Sequence, residues 1–154
     1  MNPLFKKLNF KEHVQILVLN PPASFEPHLE AVSALTEVKR GISPAMKIEF
    51  ALAFVAKKKQ IEEIAQLLTS QLEGDAILWM CYPKATSKKY KCDFNRDTGW
   101  EPLGRLGLEG VRQVAIDEDW SALRFRRVNY VKTLKRKFSA LSEAGKKKAG
   151  QTNA

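Results

Sequence analysis

The sequence predicts an α/β fold in which strands and helices alternate along one chain. Short apolar runs rich in β-branched and aromatic residues, typical of buried strands, occur three times: VQILVLN, KIEFALAFVA and DAILWMCYP. Between the second and third runs lies IEEIAQLLTSQL, whose apolar residues recur at helical spacing. Two runs with strand-like alternation, VRQVAIDED and SALRFRRV, follow later and indicate an antiparallel hairpin.

The first half of the chain predicts a strand, a helix and two further strands. The strand at 14–20 is closed by two prolines, which cannot continue a sheet ladder. A helix follows over 26–35, with apolar residues three positions apart. A short strand is predicted over 36–39, and a third strand over 47–56 after a segment rich in Gly, Ser and Pro.

The second half predicts the clearest helix and the most apolar strand. The helix covers 61–72 and is expected to end at Gly74. The strand at 75–83 is almost entirely apolar, as a central strand covered on both faces should be. A further, irregular helix is predicted from Asp93 toward Leu106.

These elements together predict a Rossmann-like, doubly wound and mostly parallel sheet with a C-terminal antiparallel hairpin. At the hairpin turn, we expect Trp120 to pack on the sheet and the neighbouring carboxylates to face Arg124 or Arg126. In such a sheet, ligands bind beyond the carboxyl ends of the parallel strands.

Size and composition predict one domain with a basic extension. A chain of 154 residues with 44% hydrophobic composition is long enough for one core. We assign residues 1–128 to the domain, 129–144 to a basic amphipathic helix and 145–154 to a disordered basic tail. The sequence shows neither a signal peptide nor an apolar run of membrane-spanning length, which predicts a cytoplasmic protein that is not transmembrane.

The net charge of +9 comes entirely from the end of the chain. Residues 1–123 hold 16 basic and 16 acidic side chains, whereas 124–154 hold 10 basic side chains and one Glu. The predicted basic helix is therefore a candidate surface for nonspecific binding of nucleic acid or of an anionic membrane. Its candidate contact residues are Lys132, Lys135, Arg136 and Lys137.

A candidate anion site follows Pro83, at the end of the most apolar strand. Lys84, Thr86 and Ser87 offer a cation and two hydroxyls there, and Asn20 stands at the end of the first strand. Alternatively, Asp93 caps the next helix and satisfies its N–H groups, and the loop lysines are simply solvated.

Other chemistries have weak signals in this sequence. Asn20-Pro21-Pro22 is similar to the motif that holds the target nitrogen in amino-group methyltransferases, but Ala23 replaces the aromatic residue and no Gly-x-Gly ends a strand. The chain also lacks a P-loop, a Gly-x-Ser-x-Gly elbow and the spacing of a metal site. We therefore predict no catalytic residue, no metal and no cofactor.

Three motifs carry a resemblance to a known group of proteins. They are AILWMCYPKATSK with Pro83, Asp93 before the next predicted helix, and VAIDEDWSALRFRR with Trp120. Together with VQILVLNPP, they resemble a family of small bacterial proteins of unknown function. That resemblance implies a reduced Rossmann-type methyltransferase fold and no particular activity.

The function predicted from the sequence is a non-catalytic binding or regulatory module with an anion site at the strand ends. Two alternatives stay open. The first is a degenerate S-adenosylmethionine-dependent methyltransferase, and the second is weak nucleic-acid association through the basic end of the chain.

Overall fold

The computed structural model describes residues 2–131. The predicted tail and most of the predicted basic helix lie outside the described residues. In chain order the helices and strands are α1 (Pro3–Lys7), β1 (Gln15–Leu19), α2 (Glu26–Val32), β2 (Glu37–Lys39), β3 (Ile48–Phe54), α3 (Lys58–Leu68), β4 (Leu72–Pro83), α4 (Glu101–Gly104), β5 (Leu108–Ala115) and β6 (Trp120–Arg127). Short 3-10 turns occur at Ala23–Phe25, Thr69–Gln71 and Val128–Tyr130.

The strands form one mixed sheet in the order β2-β1-β3-β4-β6-β5. The first four pair in parallel, whereas β6 runs antiparallel to both β4 and β5. The α/β class and the terminal hairpin predicted from the sequence are therefore confirmed. The hairpin enters the sheet by its second strand, so β6 lies between β4 and β5.

Side chains from both faces of this sheet are buried. On one face Ile61, Ile64 and Leu68 of α3 belong to the same cluster as Leu78 and Met80 of β4. The opposite face carries aromatic residues against α1 and α2, among them Phe5, Phe25, Phe50, Phe54 and Trp79. Each fully buried large apolar side chain contributes roughly 1.5–3 kcal/mol to folding, so these two layers hold the strand ends in place. No helix within residues 2–131 is both long and apolar enough to cross a membrane.

The N-terminal helix α1 was not predicted. Asn2 caps it, since its Oδ1 accepts hydrogen bonds from the N–H groups of Leu4 at 2.8 Å and Phe5 at 3.3 Å. The chain after α1 is also fixed from the sheet, because the Trp79 indole N–H donates to the Leu8 carbonyl at 2.9 Å. A helix of five residues has too few turns to show a periodic stripe.

The prediction of a helix from Asp93 toward Leu106 is wrong. In its place is a turn-rich loop followed by the four residues of α4. Asn95 Oδ1 accepts hydrogen bonds from the N–H groups of Asp97 and Thr98, which competes with helical bonding. Gly99 has φ +94°, a left-handed conformation that also interrupts a helix.

The expected role of Gly74 as the end of α3 is also wrong. The helix ends at Leu68, and Gly74 lies inside β4 with φ +56°. The pairing of β3 with β4 shifts register in this region, between the pairs that involve Ile48 and Phe50. A glycine inside a strand at an irregular pairing is typical of a bulge.

Candidate functional site

Four segments meet at one end of the sheet. The parallel strands β1, β3 and β4 all end there, at Leu19, Phe54 and Pro83. The turn between β5 and β6 lies at the same end, because Pro83 pairs with Trp120 in the antiparallel ladder. This end is where a doubly wound sheet binds its ligands.

A cavity of about 960 Å³ opens beyond the end of β4. Tyr82 and Ser121, which pair across β4 and β6, line its inner end. Its sides are formed by residues 84–87, 90–92 and 94–97, together with Gln113. Ligand pockets commonly enclose 300–1,000 Å³, so this volume is that of a small-molecule site.

The structure places three of the predicted anion-site residues at this cavity. Lys84, Thr86 and Ser87 all line it. Asn20 is exposed at the end of β1 and is not among the lining residues. The predicted set is therefore divided between the ends of β1 and β4, which are separated by β3.

The loop after β4 is fixed to the β5–β6 turn. The Lys84 N–H donates to the Asp119 carbonyl at 2.8 Å, and Ser87 Oγ donates to Asp119 Oδ1 at 2.8 Å. Ser87 Oγ in turn accepts from the N–H groups of Lys89 and Tyr90 at 3.3 and 3.2 Å. Ser87 thus positions one wall of the cavity with a hydroxyl that is already engaged.

The turn carboxylates do not face the arginines predicted for them. Asp117 Oδ1 accepts hydrogen bonds from the N–H groups of Asp119 and Trp120, both at 2.8 Å, which closes the turn. Arg126 instead pairs with Asp75 through two hydrogen bonds of 3.0 and 2.6 Å. The register of β6 carries Arg126 six residues along the strand from the turn, beyond the reach of its carboxylates.

Trp120 lies on the face of the sheet opposite to that of Tyr82 and Ser121, which line the inner end of the cavity. It is 5% exposed and packs at 5.3 Å from the Phe54 ring and 4.9 Å from the Tyr90 ring. Its indole N–H is buried and has no hydrogen-bond partner among residues 2–131. These contacts link the end of β3 to the loop after β4.

Asp93 caps a helix, but not the one expected. Its Oδ1 accepts a hydrogen bond from the N–H of Lys58 in the first turn of α3 at 2.8 Å. The N–H of Asp93 donates to the Ala56 carbonyl at 3.2 Å. Gln60 Oε1 accepts from the N–H groups of Ala56 and Lys57 at 2.7 and 3.0 Å. These side chains satisfy the first donors of α3 without a ligand.

The second wall of the cavity is a rigid turn. The Trp100 indole N–H donates to the carbonyls of Asn95 and Arg96 at 3.0 and 2.9 Å. The ring of Trp100 packs against Phe94 at 4.9 Å and against Tyr82 at 5.5 Å. This packing holds Phe94 at the side of the cavity.

The cavity carries positive charge and hydroxyl groups. Arg96 pairs with Asp97 at 3.2 Å, whereas the ammonium groups of Lys84 and Lys91 have no ion-pair partner among residues 2–131. Burial raises the pKa of Tyr82 to about 12, so this phenol stays protonated at neutral pH. Its oxygen accepts a hydrogen bond from Gln113 Nε2 at 2.8 Å, and its own proton has no acceptor within the described part of the chain.

The nearby thiol is a poor nucleophile. Burial raises the pKa of Cys92, which lines the cavity, so the thiolate is disfavoured at neutral pH. Within residues 2–131, no three His, Cys, Asp or Glu side chains come together as ligands for a metal ion.

Asn20 makes a left-handed turn at the end of β1. Its φ is +54°, and Leu19 beside it pairs with Ala53 of β3. The order β2-β1-β3 reverses direction at β1, so this turn stands at the topological switch point of the sheet. Glycine usually supplies such a turn, and Asn is one of the few other residues that adopt it readily.

Sequence reasoning missed Tyr82, Ser121 and Gln113. Their types carry no motif, and only the pairing of β4 with β6 and of β5 with β6 brings them together. The candidate nucleic-acid residues Lys132, Lys135, Arg136 and Lys137 lie outside the described residues.

No protein-family model matches this sequence, and neither does any curated protein sequence. Among solved structures, a SAM-dependent methyltransferase from Aquifex aeolicus superposes with a TM-score of 0.54 at 16% identity, covering 80% of this chain and 87% of that one. N-methyltransferase NodS from Bradyrhizobium japonicum WM9 gives a TM-score of 0.45 at 15% identity, covering 73% and 85%. A fibrillarin pre-rRNA processing protein from Methanococcus jannaschii gives 0.48 at 14% identity, covering 76% and 67%.

The likeness to the Aquifex aeolicus enzyme corrects the function predicted from the sequence. The sequence favours a non-catalytic binding or regulatory module over a degenerate methyltransferase. The structural likeness supports the methyltransferase-like alternative better. At 16% identity, what the two chains share is the fold. The chain has a Rossmann-type fold similar to that of S-adenosylmethionine-dependent methyltransferases.

Proposed function

We propose that this chain is a degenerate S-adenosylmethionine-dependent methyltransferase. The observation that carries the proposal is the left-handed turn of Asn20 at the switch point, in a chain whose fold resembles such an enzyme. The turn has the positive φ that glycine usually supplies. The cavity beyond β4 is then the acceptor site, one strand away from the donor.

The residues at the ends of β1 and β3 suit the amino-acid part of the methyl donor. Asn20 offers an exposed amide and Lys57 an exposed cation, and both would hold a carboxylate. When bound, S-adenosylmethionine supplies an electrophilic methyl group.

The same edge departs from a complete enzyme in two respects. Pro21 and Pro22 have no N–H to offer a ligand, and β2 ends in Lys39 followed by Arg40 where an acid would meet a ribose hydroxyl. Arg40 is engaged with Glu26 through two hydrogen bonds of 2.8 and 2.7 Å. These differences reduce the number of donor contacts, so we expect weak cofactor binding.

Isothermal titration calorimetry with S-adenosylmethionine and S-adenosylhomocysteine tests the proposal. We expect saturable binding that Lys57→Ala weakens about tenfold, as loss of a charged hydrogen bond does. Lys59→Ala is the matched control, because Lys59 is an exposed lysine two residues later, in the first turn of α3. The absence of heat with both compounds at millimolar concentration, with a folded protein by circular dichroism, would refute the proposal.

A further inference from the structure

We propose that the cavity beyond β4 binds a small aromatic carboxylate, held by Lys84, Lys91 and the hydroxyls of Ser121 and Tyr82. The proposal deepens the proposed function, on which it rests only for the assignment of this cavity as the acceptor site. The binding itself is argued from the cavity alone.

The hydroxyl of Ser121 is the first observation. Ser121 is 4% exposed and lines the inner end of the cavity. Its side chain makes no hydrogen bond within residues 2–131, and its oxygen is not among the buried side-chain atoms that lack a partner, so the hydroxyl is accessible. The surface that remains accessible belongs to the cavity, so a ligand atom that accepts a hydrogen bond there would satisfy this group.

The positive charge of the cavity favours a ligand with an anionic group. Lys84 and Lys91 stand at the cavity without an ion-pair partner among the described residues, while Asp97 is engaged with Arg96. Tyr82 keeps its proton, because burial raises its pKa to about 12 and Gln113 donates to its oxygen. Two ammonium groups and two hydroxyl donors match the oxygens of one carboxylate.

The aromatic residues that line the cavity favour a ligand with an aromatic ring beside its carboxylate. Phe94 and Tyr90, four residues apart in the segment after β4, both line the cavity. Each ring packs against a buried tryptophan, Phe94 against Trp100 and Tyr90 against Trp120, with centroids 4.9 Å apart in both pairs. Fixed aromatic walls favour a flat ring, which packs on such surfaces by stacking or by edge-to-face contact.

Indole-3-carboxylate is the probe, and indole-3-carboxamide is its uncharged match. Both are titrated calorimetrically into the full chain without methyl donor. We expect the carboxylate to bind at least about tenfold more tightly, since one charge-assisted hydrogen bond accounts for that ratio. Cyclohexanecarboxylate and inorganic phosphate, which lack the flat ring, should bind more weakly than the aromatic acid.

Variants locate the site. Lys84→Gln and Ser121→Ala should each raise the Kd of the carboxylate, by about tenfold for the lysine. Lys88→Gln is the matched control, because Lys88 is exposed on the same loop and does not line the cavity. In amide NMR spectra, saturable shifts are expected at Gln113 and Ser121.

Several results would overturn the proposal. These are equal affinity for carboxylate and carboxamide, equal effects of the Lys84 and Lys88 substitutions, phosphate binding as tight as that of the aromatic acid, or no binding by any probe. Failure of the methyltransferase proposal looks different, because carboxylate binding would then persist in a protein that binds neither S-adenosylmethionine nor its demethylated product.

Discussion

The carboxylate of Asp93 accepts a hydrogen bond from the backbone N–H of Lys58, 35 residues earlier in the chain, at 2.8 Å. Lys58 is in the first turn of α3, and Asp93 begins the loop that walls the cavity. This one contact therefore fixes both the N-terminus of α3 and the position of the cavity wall.

Substitutions of Asp93 should show how much its carboxylate contributes to stability as a helix cap. Asp93→Ala removes the acceptor for the Lys58 N–H and should lower the free energy of unfolding by about 1 kcal/mol, as loss of a helix cap does. Asp93→Asn retains an acceptor oxygen and should cost less than half of that. Urea unfolding of both variants measures the difference, and equal losses would show that the cap is not the cause.

Gly99 should tolerate no side chain. It has φ +94°, and an added Cβ would lie 2.6 Å from the Cβ of Phe94. Steric overlap and left-handed strain together predict a loss of roughly 2–4 kcal/mol in Gly99→Ala. Gly41→Ala is the control, because no atom lies within 4 Å of the added Cβ and its φ is not positive. Thermal unfolding should show a large fall in Tm for the first variant and almost none for the second.

The two buried tryptophans Trp79 and Trp120 should respond differently to the same change. Trp79→Phe removes the donor that bonds to the Leu8 carbonyl at 2.9 Å, and a buried acceptor left without a partner costs about 1–3 kcal/mol. Trp120→Phe removes an indole N–H that has no partner among the described residues. We therefore expect the larger loss of unfolding free energy for Trp79→Phe. Chemical denaturation of the pair tests this, and a larger loss for Trp120→Phe would contradict it.

His13 should make stability depend on pH. It lies against the rings of Phe10 and Phe50, and burial lowers its pKa below the usual 6.5. The unfolded chain then takes up the proton first, so the free energy of unfolding falls as the pH drops below 6.5 toward the folded-state pKa. In His13→Gln this contribution is absent. Between pH 7.5 and pH 5, the free energy of unfolding should fall more in the wild type than in His13→Gln. Equal falls in the two proteins would show that His13 does not cause the pH dependence.

The basic end of the chain should carry any affinity for DNA. Residues 132–154 hold seven basic side chains and one acidic one. We expect weak, sequence-independent binding by the full chain, with a log–log salt slope of about −0.9 per phosphate contact, and loss of that binding on truncation after Val131. Fluorescence anisotropy at several salt concentrations measures both. Retention of the same slope by the truncated chain would assign the binding to the domain.

Local sequence patterns were sufficient to predict the elements that have an unbroken apolar run or a regular apolar stripe. The apolar runs of β1, β3 and β4 and the stripe of α3 each identify an element without reference to the rest of the chain. The segment 93–100 could not be predicted in this way, because its shape depends on the contact of Gly99 with Phe94 and on the bond from Asp93 to α3. Its polar residues also fit the first turn of a helix.

The candidate site was predictable only in part. Lys84, Thr86 and Ser87 follow directly from the end of an apolar strand, which is a local signal. Ser121 enters the cavity because it pairs with Tyr82 across an antiparallel ladder, and a register of this kind is set by the whole sheet. The lysine and hydroxyl groups of the loop after β4 could be predicted from the sequence. The residues at the inner end of the cavity, Tyr82 and Ser121, could not.

The position of β6 between β4 and β5 has a consequence for synthesis on the ribosome. Until residue 127 has emerged, the outer edge of β4 has no partner strand, and its apolar residues present open N–H and C=O groups to other nascent chains. The parallel half of the sheet therefore depends on β6, which is made after the other five strands of this sheet. Premature termination within residues 84–119 would release an aggregation-prone fragment rather than a smaller folded protein.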